Sequence, residues 1–272
     1  MLCTTCGTRP VTSADGRCSV CVTARPAPPH GLMAAGPVPM PEALHRLRSP
    51  VLLGKAAVVL LGGVIATDVL ALVAGTNLRS EFAGLGETGL FDPAPADRAE
   101  ILYGMAGSLQ LLAMLATAVV FIIWFHRVRI NAEVFDAGLQ PMRPGWAIGG
   151  WFVPVANFWL PRRVAAGVWT ASAQTNPDGG WRTVSMAPLD LWWTLWVVST
   201  LFTWSASKIY DQAELSEAAG AVTLVMAADG LDIVAAVLAI LFVRKLTRMQ
   251  GERAALGTTP LSVPSPTGQA PV

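Results

Sequence analysis

Trp146-Ala-Ile-Gly-Gly-Trp151-Phe-Val-Pro154-Val-Ala-Asn157-Phe-Trp159-Leu-Pro161-Arg162-Arg163 is the stretch on which the fold turns. It is too apolar for an ordinary loop. It is also too short and too broken by proline for an ordinary membrane helix, which needs about 20 apolar residues in succession. Arg143 stands just before it and Arg162-Arg163 close it. Whether it crosses a bilayer decides whether the chain spans four times or five.

The rest of the chain supplies the frame. With 53% hydrophobic residues, 14% charged and ten tryptophans, the composition is that of an integral membrane protein. The first 50 residues hold no apolar h-region, so insertion is expected from the spans themselves. Four apolar runs have the length of spans: Val51–Gly75, Ile101–Phe125, Leu189–Ala206 and Ala218–Val243. The net charge of +1 says little, but its distribution alternates. Arg9, Arg17, Arg25, Arg46 and Arg48 precede span one, and Arg127, Arg129, Arg143, Arg162, Arg163 and Arg182 separate spans two and three. Arg244, Lys245, Arg248 and Arg253 follow span four, whereas the other two connections are acidic. Positive residues favour the cytoplasmic side, so four spans with both termini cytoplasmic satisfy the count.

A fifth crossing at 146–161 would carry one arginine flank outside. A re-entrant or interfacial hairpin at the headgroup level, anchored by Trp146, Trp151 and Trp159, fits better. The residues after it, 162–176, read as a weak amphipathic helix on the cytoplasmic face. The expected fold is an all-α membrane protein of four transmembrane helices with this proline-broken segment. It divides into a module at 1–22, a Pro-rich linker at 23–48, the transmembrane domain at 49–248 and a disordered tail at 249–272.

The N-terminal module contains all four cysteines, in the pairs Cys3-Thr-Thr-Cys6 and Cys18-Ser-Val-Cys21. Each C-x-x-C turn presents two thiolates, and two turns together make a tetrahedral four-sulfur site that selects zinc over harder cations. The eleven residues between the pairs suit one hairpin turning at Asp15-Gly16. Iron or dithiol redox chemistry and disulfides are the alternatives, and a cytosolic location argues against disulfides. A zinc ribbon of this size suits docking a cytosolic protein or a neighbouring copy. Nucleic acid is a poor partner, because residues 1–30 hold no Phe, Tyr or Trp on which a base could stack.

The run Trp124-Phe-His-Arg127-Val-Arg-Ile-Asn131-Ala132, followed by the motif from Pro144 to Pro161, resembles an uncharacterised family of bacterial membrane proteins. That family is domain of unknown function 4328, common in actinobacteria. The resemblance extends over roughly residues 50–250. It implies a multi-span protein of a bacterial inner membrane, often with an added zinc ribbon, and it brings no activity.

Charged groups inside spans are costly and need a reason. Lys55, one turn inside span one, reads as a residue that snorkels to the headgroups. Asp68 lies in the outer part of that span, and Asp229 and Asp232 share a face of span four. Gln110 of span two, with Ser199, Thr200 and Thr203 of span three, falls at overlapping depth. Two readings compete: hydrogen-bonded carboxyls that glue the bundle, or a polar path for protons or a cation. Near the motif, Arg127 or Asn131 is expected to bond backbone carbonyls freed by Pro154 and Pro161, with Asn157 marking the turn. Otherwise the arginines simply follow the positive-inside pattern and touch lipid phosphate. No nucleophile–base pair or Gly-rich phosphate loop occurs, so the chain is read as non-enzymatic, a membrane-anchored interaction or regulatory module. The alternative is a small ion, proton or solute transporter or channel that uses the aspartates of span four, as a single chain or a homo-oligomer.

Overall fold

The computed structural model describes residues 2–4, 8, 10, 47–88, 93–173 and 184–258. The chain forms two compact units, Met1–Glu42 and Ala43–Val272. In the first, Leu2 and Pro10 pair through an isolated antiparallel bridge, and Cys3 is buried. Cys6, Cys18, Cys21, most of the linker and the tail from 259 lie outside the described residues.

The second unit is helical. Its elements are α1 (Val51–Thr88), α2 (Pro93–Phe135), a four-residue turn α3 (Trp146–Gly149), α4 (Leu160–Ser172), α5 (Ala187–Gln212) and α6 (Leu215–Thr258). Pro93 and Pro188 sit in the first turns of α2 and α5, where a missing N–H costs no helical bond. Three helices are long and apolar enough to cross a membrane, over Val51–Gly84, Ala94–Phe135 and Leu215–Ala255. The 26 residues of α5 reach about 39 Å at 1.5 Å per residue, which is long enough for the expected fourth span. Trp192, Trp193, Trp196 and Trp204, with Ser199, Thr200 and Thr203, make it less apolar than the other three.

The helices outrun the spans expected of them. At 38, 43 and 44 residues, α1, α2 and α6 each extend about 57–66 Å, roughly twice a hydrocarbon core. The acidic connection after span one is therefore largely helix. Leu78 and Phe82 of α1 bury against Ala99 of α2 and Ala218 and Val222 of α6, with Tyr103 and Tyr210 meeting edge-on nearby. At the other end α6 continues to Thr258, so residues 249–258 are helix and not the start of a tail.

The surface is apolar where a soluble protein's would be polar: Leu52, Val59, Ile101, Leu112, Val119 and Leu241 all point outward. Inside stand Ala57, Ala71, Ala106, Ala228 and Ala239. Small residues at helix contacts with large apolar ones outside are what the bilayer favours, because lipid gives helices no hydrophobic reason to associate and close packing must do it. Helix α1 packs along α2 on one side and α6 on the other, and α5 packs on α6. The lateral order is α2–α1–α6–α5, which leaves α2 and α5 at the edges.

The segment 146–159 forms no helix long enough to span a membrane. After α3 the chain turns back on itself, and a 3-10 turn at Ala156–Phe158 leads into α4. The amphipathic helix expected at 162–176 is α4, but its apolar face does not rest on lipid. Val164, Ala165, Val168 and Trp169 are fully buried against the bundle, with α4 packed on α2, α5 and α6. Gly167 lets α4 touch the preceding loop: a Cβ there would stand 2.8 Å from the Leu139 carbonyl oxygen and 2.8 Å from Pro141 Cδ. The Gln140 amide seals this contact by donating to the Gly167 carbonyl at 3.2 Å. Gly167→Ala is expected to cost about 1–3 kcal/mol, the usual range for overpacking, measured by equilibrium unfolding in mixed micelles. An unchanged midpoint would show that the loop does not sit on α4.

Candidate functional site

The motif builds one end of a chamber. Trp151, carried by the turn after α3, enters the gap between α2 and α5. There it meets Phe121 edge-on at 5.7 Å, Phe125 at 6.1 Å, Trp193 at 5.8 Å and Trp196 at 5.6 Å between ring centroids. The shelf continues through Trp192, stacked on Phe242 at 4.6 Å, and Trp169, also parallel to Phe242 at 5.8 Å. Aromatic pairs at such spacings contribute about 0.5–1.5 kcal/mol each beyond burial. Trp193 Nε1 donates to the Phe158 carbonyl at 3.0 Å, and Arg162 pairs with Asp190 at 2.6 Å, so α5 is tied to the motif at two points.

Beyond this shelf, between the edge helices, lies a cavity of about 550 Å³. Its walls are apolar, including Leu61, Val64, Met114 and Ile122, and its floor is Phe121, Trp151, Trp192 and Trp196. Toward the opposite end it becomes polar, with Thr117, Thr200, Thr203, Ser207 and Asp232. Thr203 Oγ1 donates to Asp232 Oδ2 at 3.3 Å.

The expected gathering of intramembrane polar groups takes place, but it divides in two. Gln110 Nε2 donates to Asp68 Oδ1 and to Asp229 Oδ1, each at 3.0 Å, tying α1, α2 and α6 with one amide. The second oxygens of Asp68 and Asp229 are buried and have no hydrogen-bond partner among the described residues. Asp232, three residues on, faces α5 and the cavity instead. The shared face of Asp229 and Asp232 therefore serves two different neighbours.

The motif's backbone turns through short hydrogen bonds of its own, and Arg127 and Asn131 bond elsewhere than the role expected of them. Ala156 N–H donates to the Pro154 carbonyl at 2.6 Å around Val155, whose φ of 62° and ψ of −49° form a γ-turn of the rare, strained hand. Asn157, Phe158 and Trp159 donate to Val153, Val155 and Ala156. Arg127 donates instead to the Ser49 carbonyl at 3.4 Å. Pro161 is buried in the first turn of α4. Trp159 and Trp146 are partly outward at 54% and 40% exposure, as headgroup anchors would be, whereas Trp151 is the inserted one.

Asn131 belongs to a network the sequence reading missed. Its Oδ1 accepts from Arg48 N–H at 3.1 Å, and its Nδ2 donates to the Arg48 carbonyl at 2.9 Å and to Gln250 Oε1 at 3.0 Å. Gln250 Nε2 in turn donates to the Val128 carbonyl at 2.8 Å and to Ser172 Oγ at 3.2 Å. Two buried amides thus fill every donor they own while joining the entry to α1, α2, α4 and α6. Arg129 is also buried, donating to the Met142 carbonyl and to Glu133, and so holds the loop that leads into the motif. No spacing signal in the sequence marks Gln250, which stands in the stretch assigned to the tail.

Of the four expected thiolate ligands only Cys3 is among the described residues, and those residues contain no cluster of three or more metal-binding side chains. A family model described as "Domain of unknown function (DUF4328)" matches residues 87–248, more than half of the chain, and the chain belongs to that family. No curated protein and no solved structure matches it.

Asn131→Ala and Gln250→Ala are each expected to cost about 2–3 kcal/mol, because each leaves a buried amide unpaired. The double variant should lose less than the sum, by 0.5 kcal/mol or more in a double-mutant cycle of unfolding free energies. Strict additivity would mean that the two amides do not act together.

Proposed function

From membership of a family whose description names no activity, we propose that the protein is a non-enzymatic regulatory module of a bacterial inner membrane, and that its α2–α5 cavity holds a lipophilic ligand. It crosses the membrane four times with both termini in the cytoplasm. Support for that orientation comes from Arg127, Arg129, Arg143, Arg162 and Arg244, which all belong to the end of the bundle where α1 begins.

The observation that carries the ligand reading is the cavity itself. At about 550 Å³ it falls within the roughly 300–1,000 Å³ of small-molecule clefts, and its apolar walls with a few convergent polar groups match their chemistry. It lies at the depth of the apolar helix segments, so the ligand enters from the lipid. Aromatic faces at one end and the Asp232 carboxylate at the other favour an organic cation with an apolar body. Asp68, Gln110 and Asp229 do not line the cavity, and we read them as the tie that holds three helices in register.

The cytosolic module completes the reading. Four thiolates in two C-x-x-C turns hold one zinc, and the ribbon so formed docks a cytosolic partner or a second copy. The bridge between Leu2 and Pro10, which brackets the first pair, and the burial of Cys3 support this.

Tetraphenylphosphonium and tetraphenylborate, alike in shape and opposite in charge, test the cavity. The cation should quench tryptophan fluorescence saturably in the purified protein, and Asp232→Asn should weaken it at least tenfold. Equal binding of both ions, or an unchanged Asp232→Asn, would remove the reading. Metal analysis should separately give one zinc per chain, lost in Cys18→Ser.

A further inference from the structure

A second concavity, of about 1210 Å³, opens at the end where α1 begins. It lies outside the aromatic core, between the first turns of α1 and α5, with the last turns of α6 as its floor. Its deeper wall is apolar: Val58 and Val59 of α1, Leu191 of α5, Leu238 and Leu241 of α6. Its rim is basic, with Lys55, Arg244, Lys245 and Arg248 against the single carboxylate Glu252.

The four cations are not equivalent. Arg248 pairs with Glu252 at 3.5 Å, and Lys245 lies 5.5 Å over the Trp169 ring, so both are held by the protein itself. Lys55 and Arg244 have neither an ion pair nor a hydrogen bond among the described residues, and both are exposed. The spacing of Leu238, Leu241, Arg244 and Arg248 puts apolar and basic groups in sequence along one face of α6. On α1, Lys55 similarly follows Val58 and Val59 toward the helix start. Each side of the groove thus changes from apolar to cationic in the same direction. The groove is also larger than a typical metabolite cleft.

We propose that this groove is a specific site for one anionic phospholipid, its phosphate held by Lys55 and Arg244 and its acyl chains lying along Val59, Leu191, Leu238 and Leu241. Charge complementarity selects the headgroup. Unpaired cations beside a phosphate gain short charge-assisted hydrogen bonds, and a zwitterionic headgroup returns part of that gain through its own positive charge. Apolar length selects a lipid over a soluble phosphate. Lys55 is then a headgroup ligand and not merely a residue that snorkels. Gly54 lets the α1 wall lie close to α6, since a Cβ there would stand 2.7 Å from Thr247 Oγ1.

The test uses the full-length protein in detergent with added phosphatidylglycerol, phosphatidylcholine of the same chains, or inorganic phosphate. Melting temperature and lipid retention in native mass spectrometry are read together. Phosphatidylglycerol should raise the melting temperature by several degrees, with one lipid retained per chain, and the other two additives should not. Lys55→Gln/Arg244→Gln should lose at least tenfold in lipid affinity, and the charge-keeping Lys55→Arg/Arg244→Lys should retain the response. Equal shifts from both lipids, a shift from inorganic phosphate alone, or a Gln variant that binds like the parent would overturn the proposal. If the Gln variant does not fold, the comparison of the three additives on the parent decides alone.

Discussion

Edge-on packing of Trp151 against Phe121 of α2 on one side and Trp196 of α5 on the other sets the spacing on which the bundle depends. In a lateral order α2–α1–α6–α5, the two edge helices touch at one end through Phe121 and Trp192, 5.6 Å apart, and Trp151 wedges between them beside that contact. In lipid no hydrophobic force closes such a gap, because a hydrocarbon chain fills it as well as a leucine does. A rigid aromatic inserted from outside the helices is therefore a spacer. Below it the aromatic shelf is continuous to Trp169, and above it the cavity remains open.

A spacer works only if its carrier is fixed, and two polar assemblies do this. Asn131 and Gln250 lock α2, α6 and the entry to α1 with fully matched amides, and Ser172 brings α4 into the same network. Arg129 holds the Met142 carbonyl just ahead of α3. Buried amides and a buried guanidinium are expensive when unmatched and directional when matched, so they define one geometry where dispersion alone would allow several. The rare-handed turn at Val155 shows the same determinism, since a β-branched residue adopts φ of 62° only where its surroundings dictate it.

Much of this was legible in the sequence. Four apolar runs mark the long helices, and the prolines of 146–161 break that stretch into the short turns found there. Gln110 was expected at the depth of the aspartates because helix rise converts sequence position into depth, and it bonds to two of them. Depth is not azimuth, however, and Asp229 and Asp232 part company because about 60° of helix rotation separates them. What stayed hidden was long-range pairing. Gln250 lies 119 residues from Asn131, and nothing in its neighbourhood distinguishes it from a solvated tail residue. Arg129 read as one more positive charge at a headgroup, because a count cannot tell a buried arginine from an exposed one. The apolar face of α4 was evident, but whether protein or lipid covers it depends on the chain around it.

The spacing role of Trp151 can be measured directly as a distance. Spin labels at Leu115 of α2 and Leu201 of α5, both on exposed faces, report the separation of the edge helices in protein whose four native cysteines are serine. Trp151→Ala should shorten or visibly broaden the distance distribution obtained by double electron–electron resonance in bilayers, whereas Trp151→Phe should largely preserve it. An identical, equally narrow distribution in parent and Trp151→Ala would contradict the account, because the gap would then be held by the helices alone.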